Sequence, residues 1–154
     1  MMKVLFVCLG NICRSPMAEG IFKDMVNKEN LSHLISVDSA ATGTWNLGQA
    51  PHQKTQQKLA EVGIDTNGMV SRVLNDHDLS YDYIIGMDSS NIANINHFIK
   101  NRQSGQVMRL LQFAKEDRDI ADPYYTGDFE QTFQDITKGC QGLLEHIKKE
   151  LNEV

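Results

Sequence analysis

Short apolar runs alternate along the chain with longer stretches whose apolar residues recur at helical spacing. The runs 3–7, 35–39, 81–87 and 107–111 are rich in β-branched and aromatic residues and are bounded by polar or turn-forming residues, so they predict four strands. These runs are mainly apolar rather than alternating, which is typical of strands that are covered on both faces in a parallel sheet.

The stretches between and after the strands predict helices. We expect the first to begin at Pro16 with Ser15 as its N-cap, since Pro suits the first helical position and Ser caps the free N–H groups. The last is the clearest, because its apolar residues step regularly by four and three. Three further helices are therefore expected at 51–62, which ends before Gly63, at 88–100 and at 129–151.

This order of elements predicts an α/β fold: one domain over residues 1–154, with a four-stranded parallel sheet and helices on both faces. Ligands of such sheets bind beyond the carboxyl ends of the strands. The loop that follows the first strand and leads into the first helix is therefore the expected place for a binding site.

Composition narrows the function classes. The chain of 154 residues is 41% hydrophobic and 23% charged, as expected of one globular domain. A formal net charge of −5 argues against a general binder of nucleic acid or anionic membranes. The N-terminal apolar patch is too short for a signal peptide, and no run approaches the roughly 18 residues of a membrane span. We expect a cytoplasmic monomer; secretion by a route without a signal peptide stays open.

Two of the three cysteines, Cys8 and Cys13, lie in the loop VCLGNICRSP at 7–16. Without an export signal, they indicate chemistry or packing rather than a disulfide scaffold. Their spacing is unlike that of a zinc site, and the five histidines are scattered, so no metal or other cofactor is expected. Cys140 lies on the apolar face of the last helix and is expected in the core.

The loop has the parts of a phosphate cradle with a nucleophile. A loop that turns into a helix aims backbone N–H groups at one point, and Gly10 allows close approach. Arg14 can bind two phosphate oxygens, and the same field favours the thiolate of Cys8 as a nucleophile. Ser15 can donate to that sulfur, and Asn11 can brace the turn.

The stretch ADPYYTG at 121–127 supplies a candidate proton donor. Asp122 could protonate a departing oxygen and then take a proton from the attacking water. Tyr124 and Tyr125 could form an aromatic wall for a flat substrate. Asp-Pro alone is a turn signal, so this interpretation depends on the nucleophile loop.

These segments resemble the low-molecular-weight protein tyrosine phosphatase family from end to end. The segments that carry the resemblance are VCLGNICRSPMAEG, DSAATGTW, YDYIIGMDSSN and ADPYY. The resemblance implies that Cys8 is the nucleophile, Arg14 the phosphate ligand and Asp122 the general acid and base, acting on a tyrosine-phosphorylated protein or peptide. It implies a substrate site at Leu9, Gly10, Asn11, Ile12, Cys13, Ser15, Trp45, Tyr124 and Tyr125, and loop support by Asn11, Ser15 and Ser39.

Within this family Cys13 matches a second cysteine that can form a reversible disulfide with the nucleophile; simple packing beneath the loop is the alternative. The chain departs from the common pattern at two positions, where Ala41 replaces a glycine and Met69 replaces a histidine. The second change removes one family support of Asn11.

Four other functions are alternatives. An arsenate reductase needs further cysteines in mid-chain, and none lies between Cys13 and Cys140. An arginine phosphatase on this fold has threonine after the loop asparagine, whereas this chain has Ile12. A silent phosphopeptide-binding module would lack one of the catalytic groups, and a phosphocysteine transfer protein would not need Asp122. The sequence thus favours a phosphotyrosine phosphatase.

Overall fold

A computed structural model describes residues 1–152. Its four strands are all parallel and have the order β2-β1-β3-β4, which confirms the predicted sheet. The central strand β1 therefore delivers its carboxyl end, Cys8, to the middle of the sheet edge. The strands are β1 Met2–Cys8, β2 Ile35–Ala41, β3 Tyr83–Gly86 and β4 Gln106–Arg109.

Helices cover both faces of the sheet, as predicted. The elements α1 and α5 pack against each other on one face, α3 packs on β3 and β4 at the other, and α2 rests on α1 and α5. The helices are α1 Arg14–Lys28, α2 Gln53–Ala60, α3 Ser89–Ile99, α4 Pro123–Thr126 and α5 Phe129–Asn152.

The side chains on the two faces of β1 pack into two separate hydrophobic cores. Val4 and Phe6 point into the core with α1 and α5, whereas Leu5 and Val7 point into the core with α3. All four are fully buried, which explains why the strand is continuously apolar. Burial on both faces holds β1 firmly at the base of the loop that follows it.

The predicted start of α1 is wrong by two residues. The helix begins at Arg14, its N-cap is Cys13, and Pro16 is its third residue. Ser15 cannot cap the helix, because its hydroxyl lies within the first turn and contacts Cys8 and Asn11 instead. The residue that looked like a cap is thus part of the site.

Other boundaries shift modestly. Helix α2 begins at Gln53 rather than Pro51 and is capped by His52, whose Nδ1 accepts from the Lys54 N–H at 3.1 Å. β3 is shorter than the run 81–87 predicts. The run 107–111 is divided between β4 and a 3-10 turn that begins at Leu110. Within residues 1–152, no helix has the length and apolar character needed to cross a membrane.

Candidate active site

Backbone N–H groups of neighbouring segments anchor the loop from Leu9 to Cys13 by donating to carbonyl groups in and next to it. The Cys8 carbonyl, at the end of β1, and the Leu9 carbonyl accept from the N–H groups of Thr42 and Gly43, at 3.0 and 2.9 Å. The Ile12 carbonyl accepts from the His52 N–H at 2.7 Å. None of the loop's own N–H groups donates to another group within residues 1–152. The loop therefore carries free backbone donors, as an anion cradle does.

Asn11 shapes this loop through an unusual backbone and a fully used side chain. Its φ is +57°, in the left-handed region that Asn tolerates better than most residues. Its Nδ2 donates to the hydroxyls of Ser15 at 2.7 Å and Ser39 at 2.9 Å, and its Oδ1 accepts from the Arg72 N–H at 3.2 Å. These contacts tie the loop to α1, to β2 and to the segment that contains Met69.

The thiol of Cys8 lies at the base of the loop, with its Sγ 3.0 Å from the Ser15 hydroxyl. Both residues are buried, with side chains at most 3% exposed. Asn11 and Ser15 are not among the residues that line the cleft described below, and the hydrogen bonds of their side chains brace the loop. Cys8 thus places a buried thiol at the start of the loop that carries the free N–H donors.

Arg14 is buried, 2% exposed, and only one end of its guanidinium is occupied. Nη1 donates to Asp88 Oδ2 at 2.7 Å and to the Ile120 carbonyl at 2.8 Å. Nε has no partner within the described chain, and Nη2 has only a long contact of 3.5 Å with Asp122. The edge formed by Nε and Nη2 is thus free for an anion.

The charge of Arg14 is secured by its surroundings. Burial alone disfavours the cation, but the nearby Cys8 sulfur and the carboxylates of Asp88 and Asp122 outweigh burial, and the pKa of Arg14 is raised. Asp88 is a site residue that sequence reasoning missed. The signal was its position just after a buried strand, since the carboxyl ends of parallel strands converge at one edge.

A cleft of about 380 Å³ opens above the loop. Trp45, Tyr124 and Tyr125 stand at its rim and are 63–75% exposed. The Trp45 ring lies over Gly43, where a Cβ would overlap it, and Asn46, which sequence reasoning also missed, lies over Gly10. The cleft residues are Cys8, Leu9, Gly10, Ile12, Cys13, Trp45, Asn46, Asp122, Tyr124 and Tyr125.

Asp122 lines the cleft and is the N-cap of the short helix α4. Its Oδ1 accepts from the Tyr124 N–H at 3.0 Å, which fixes the carboxylate at the N-cap. The Tyr124 and Tyr125 rings, 5.3 Å apart, meet edge to face beside it. The structure thus brings the candidate acid and the candidate nucleophile into one cleft.

The remaining thiols are buried. Desolvation, reinforced by Cys8 and Asp122, raises the pKa of Cys13 to about 12, and desolvation raises that of Cys140 above its ordinary value. Cys140 lies in the core between α5 and α1, as expected. All three cysteines are free thiols. Among residues 1–152, no three His, Cys, Asp or Glu side chains are grouped as metal ligands.

Known proteins share this sequence and this geometry. A family model described as low molecular weight phosphotyrosine protein phosphatase matches residues 3–153. The low molecular weight protein-tyrosine-phosphatase YfkJ of Bacillus subtilis is 46% identical over 153 residues, 97% of this chain and 98% of its own. PtpA of Staphylococcus aureus is 44% identical, over 99% of this chain and 97% of its own.

Solved structures agree with these matches. The crystal structure of YfkJ has a TM-score of 0.91 at 46% identity and covers 97% of this chain and 96% of its own. That of a Drosophila arginine phosphatase has a TM-score of 0.88 at 38% identity, with 96% and 98% covered. The chain belongs to the low molecular weight phosphotyrosine protein phosphatase family.

Proposed function

We propose that this protein-tyrosine-phosphatase hydrolyses phosphotyrosine and small aryl phosphates through a phosphocysteine intermediate. Cys8 is the nucleophile, Arg14 binds the phosphoryl oxygens, and Asp122 is the general acid and then the general base. The whole chain, 1–154, acts as one catalytic domain.

The unoccupied edge of Arg14 is the observation that supports this assignment most strongly. A buried guanidinium N–H without a partner is costly, and an anion bound at Nε and Nη2 would remove that cost. The same anion would accept from the free N–H groups of the loop, directly above the Cys8 sulfur. A tetrahedral dianion has enough oxygens to use both sets of donors.

The reaction has two displacements at phosphorus. In the first, the Cys8 thiolate attacks the phosphorus, the bond to the phenolic oxygen breaks, and Asp122 gives that oxygen a proton. In the second, Asp122 takes a proton from a water molecule, whose oxygen attacks the phosphorus of the phosphocysteine. The S–P bond breaks, which regenerates the Cys8 thiolate and releases inorganic phosphate. The Ser15 hydroxyl stabilises the departing thiolate by donating to it.

Replacement of the nucleophile tests the assignment. Cys8→Ser should abolish turnover of p-nitrophenyl phosphate and of a phosphotyrosine peptide, assayed with a metal chelator present. Cys140→Ala, which removes a core thiol that does not line the cleft, is the matched control and should keep turnover. Wild-type activity in Cys8→Ser would refute the proposed mechanism.

Phosphoarginine is the second candidate substrate, because one close structural match is described as an arginine phosphatase. Ile12, which lines the cleft, offers only apolar contact and supports phosphotyrosine. We expect phosphotyrosine peptides to be hydrolysed at least about tenfold faster than phosphoarginine and phosphoserine peptides. Ile12→Thr should raise the phosphoarginine-to-phosphotyrosine ratio, whereas Ile12→Val should not; equal ratios would remove Ile12 as the determinant.

We also propose a partner, a cellular location and an oligomeric state for the enzyme. The exposed aromatic rim supports a tyrosine-phosphorylated protein as partner, and the net charge of −5 speaks against nucleic acid and anionic membranes. We propose a cytoplasmic monomer. Sedimentation of the wild-type protein at several concentrations tests the oligomeric state, and concentration-dependent association would contradict it.

A further inference from the structure

We propose that Glu19 is a positioning residue that keeps the Ser15 hydroxyl donating to the Cys8 sulfur through a chain of hydrogen bonds. The inference rests on the proposed role of Cys8 as the nucleophile. Glu19 lies in the second turn of α1 and is only 6% exposed, although it carries a carboxylate. None of the roles assigned above uses it.

Two short contacts hold this carboxylate. Its Oε1 accepts from the Ser39 hydroxyl at 2.6 Å, and its Oε2 pairs with Lys23 Nζ at 2.6 Å. Lys23 is half-exposed, so the ion pair lies between the interior and the solvent. An ion pair with one half-exposed partner contributes little to stability, so stability alone is a poor account of this carboxylate.

The contacts continue from Glu19 to the nucleophile without a gap. Ser39 Oγ lies 2.9 Å from Asn11 Nδ2, which lies 2.7 Å from Ser15 Oγ, which lies 3.0 Å from Cys8 Sγ. Four of the five residues are at most 5% exposed, which keeps most of the chain out of bulk water, and its outer part, Asn11, Ser39 and Glu19, lines a cavity of about 560 Å³.

The Glu19 carboxylate determines which groups donate and which accept along this chain of hydrogen bonds. An ionised carboxylate only accepts hydrogen bonds, so the Ser39 hydroxyl must donate to Glu19 and use a lone pair for the amide of Asn11. Asn11 then presents Nδ2 to both serines. The hydrogen of Ser15 remains for the sulfur, where it stabilises the thiolate as nucleophile and as leaving group.

The hydrogen bond at the carbonyl oxygen of the Asn11 side chain is consistent with this direction. Its Oδ1 accepts from the Arg72 N–H, which also keeps Nδ2 facing the serines, but that contact is longer, at 3.2 Å, and comes from a half-buried segment. The Glu19 carboxylate, which Ser39 contacts at 2.6 Å, is therefore the charged anchor that directs the chain.

Two variants separate the direction of the chain from the ion pair. Glu19→Met removes the acceptor, and the exchange Glu19→Lys with Lys23→Glu keeps the pair but places a donor-only ammonium against Ser39. In both we expect alkylation of Cys8 by iodoacetamide at neutral pH to slow about fivefold, with its pH profile moved to higher pH. We also expect kcat for p-nitrophenyl phosphate to fall about fivefold with KM changed less than about twofold.

Asp135→Asn is the matched control. Asp135 is 5% exposed and pairs with Arg118, so the change disturbs a buried carboxylate without touching the chain to Cys8. It should leave the alkylation profile and the kcat unchanged. If either Glu19 variant has the wild-type profile, or if KM rises as much as kcat falls, the inference is overturned.

If the Glu19 variants fail to fold, Ser39→Ala provides an alternative test. It breaks the same chain one step later and leaves the Glu19–Lys23 pair intact, so it should give the same slower alkylation; a wild-type profile would overturn the inference. Peptide mapping of wild-type protein separates the two proposals. Alkylation that inactivates the enzyme at a residue other than Cys8 would refute the proposed nucleophile itself.

Discussion

At the scale of single residues, Asp122 combines two tasks in one carboxylate. Oδ1 accepts from the Tyr124 N–H and caps α4, while Oδ2 lies 3.5 Å from Arg14 Nη2. Because Asn is an equally good N-cap, Asp122→Asn should keep the loop in place and remove only the transferable proton. The consequences for structure and for catalysis can thus be separated.

We predict that Asp122→Asn lowers kcat/KM by about 10²–10⁴-fold for aryl phosphates with basic leaving groups, and less for p-nitrophenyl phosphate. A basic phenolate needs the proton most. The measurement is a series of aryl phosphates of graded leaving-group basicity. Asp128→Asn, which alters another carboxylate that accepts from a helical N–H nearby, is the control. A loss that is uniform across the series would argue against proton donation.

Cys13 gives a redox prediction at the same scale. Mild peroxide should convert Cys8 and Cys13 to a disulfide, because a sulfenic acid at Cys8 condenses with a nearby thiol, and thiol treatment should restore activity. Cys13→Ser should then be inactivated irreversibly. Mass mapping of the oxidised protein measures the link; irreversible loss in wild type with Cys13 unmodified would favour simple packing.

The residues that sequence reasoning found and missed differ in a physical way. Cys8, Arg14 and Asp122 belong to compact local patterns, whereas Asp88 and Glu19 act through contacts that only the folded chain creates. Asp88 meets Arg14 from 74 positions away, and Glu19 meets Ser39 from 20 away. Local spacing cannot encode such pairs, although parallel topology already places the end of β3 beside the end of β1.

At the scale of elements, helical periodicity and apolar runs were sufficient for the sheet and for α1, α2, α3 and α5. They were not sufficient for α4 or for the 3-10 turns at 76–80 and 110–114, which are too short to show a period. The start of α1 was misplaced because Ser15 is used by the site. A helix boundary is hardest to predict where the residues that would mark it have a functional contact.

The packing of α5 on the 3-10 turn 110–114 gives an elemental prediction. A Cβ at Gly142 would overlap the carbonyl oxygen of Phe113 and lie 2.6 Å from its carbon. Alanine favours a helix over glycine by about 1 kcal/mol, yet we expect Gly142→Ala to lower the free energy of unfolding by about 1–3 kcal/mol, because backbone must move.

Urea unfolding measures this change. Gln141→Ala, at the exposed neighbouring position of the same helix, is the control and should be neutral or slightly stabilising. A Gly142→Ala variant as stable as wild type would mean that the turn can shift away from α5 without cost.

At the scale of the whole molecule, the buried thiols cause the free energy of unfolding to fall as the pH rises into the alkaline range. Burial raises the pKa of Cys13 from 9.0 to about 12 and raises that of Cys140 as well. The unfolded chain therefore loses these protons at lower pH than the folded protein does. Their contribution to the free energy of unfolding is complete below about pH 9 and is lost as pH rises toward the folded-state values.

We predict that the free energy of unfolding falls more steeply above pH 9 in wild type than in Cys140→Ala, by up to about 1.4 kcal/mol per pH unit for that thiol. The cavity left by alanine lowers stability by a constant amount, so the difference in slope isolates the ionisation. Urea unfolding under reducing conditions at several pH values between 8 and 11 measures it. Parallel slopes would mean that the Cys140 thiol ionises equally in both states, which full burial between α1 and α5 should prevent.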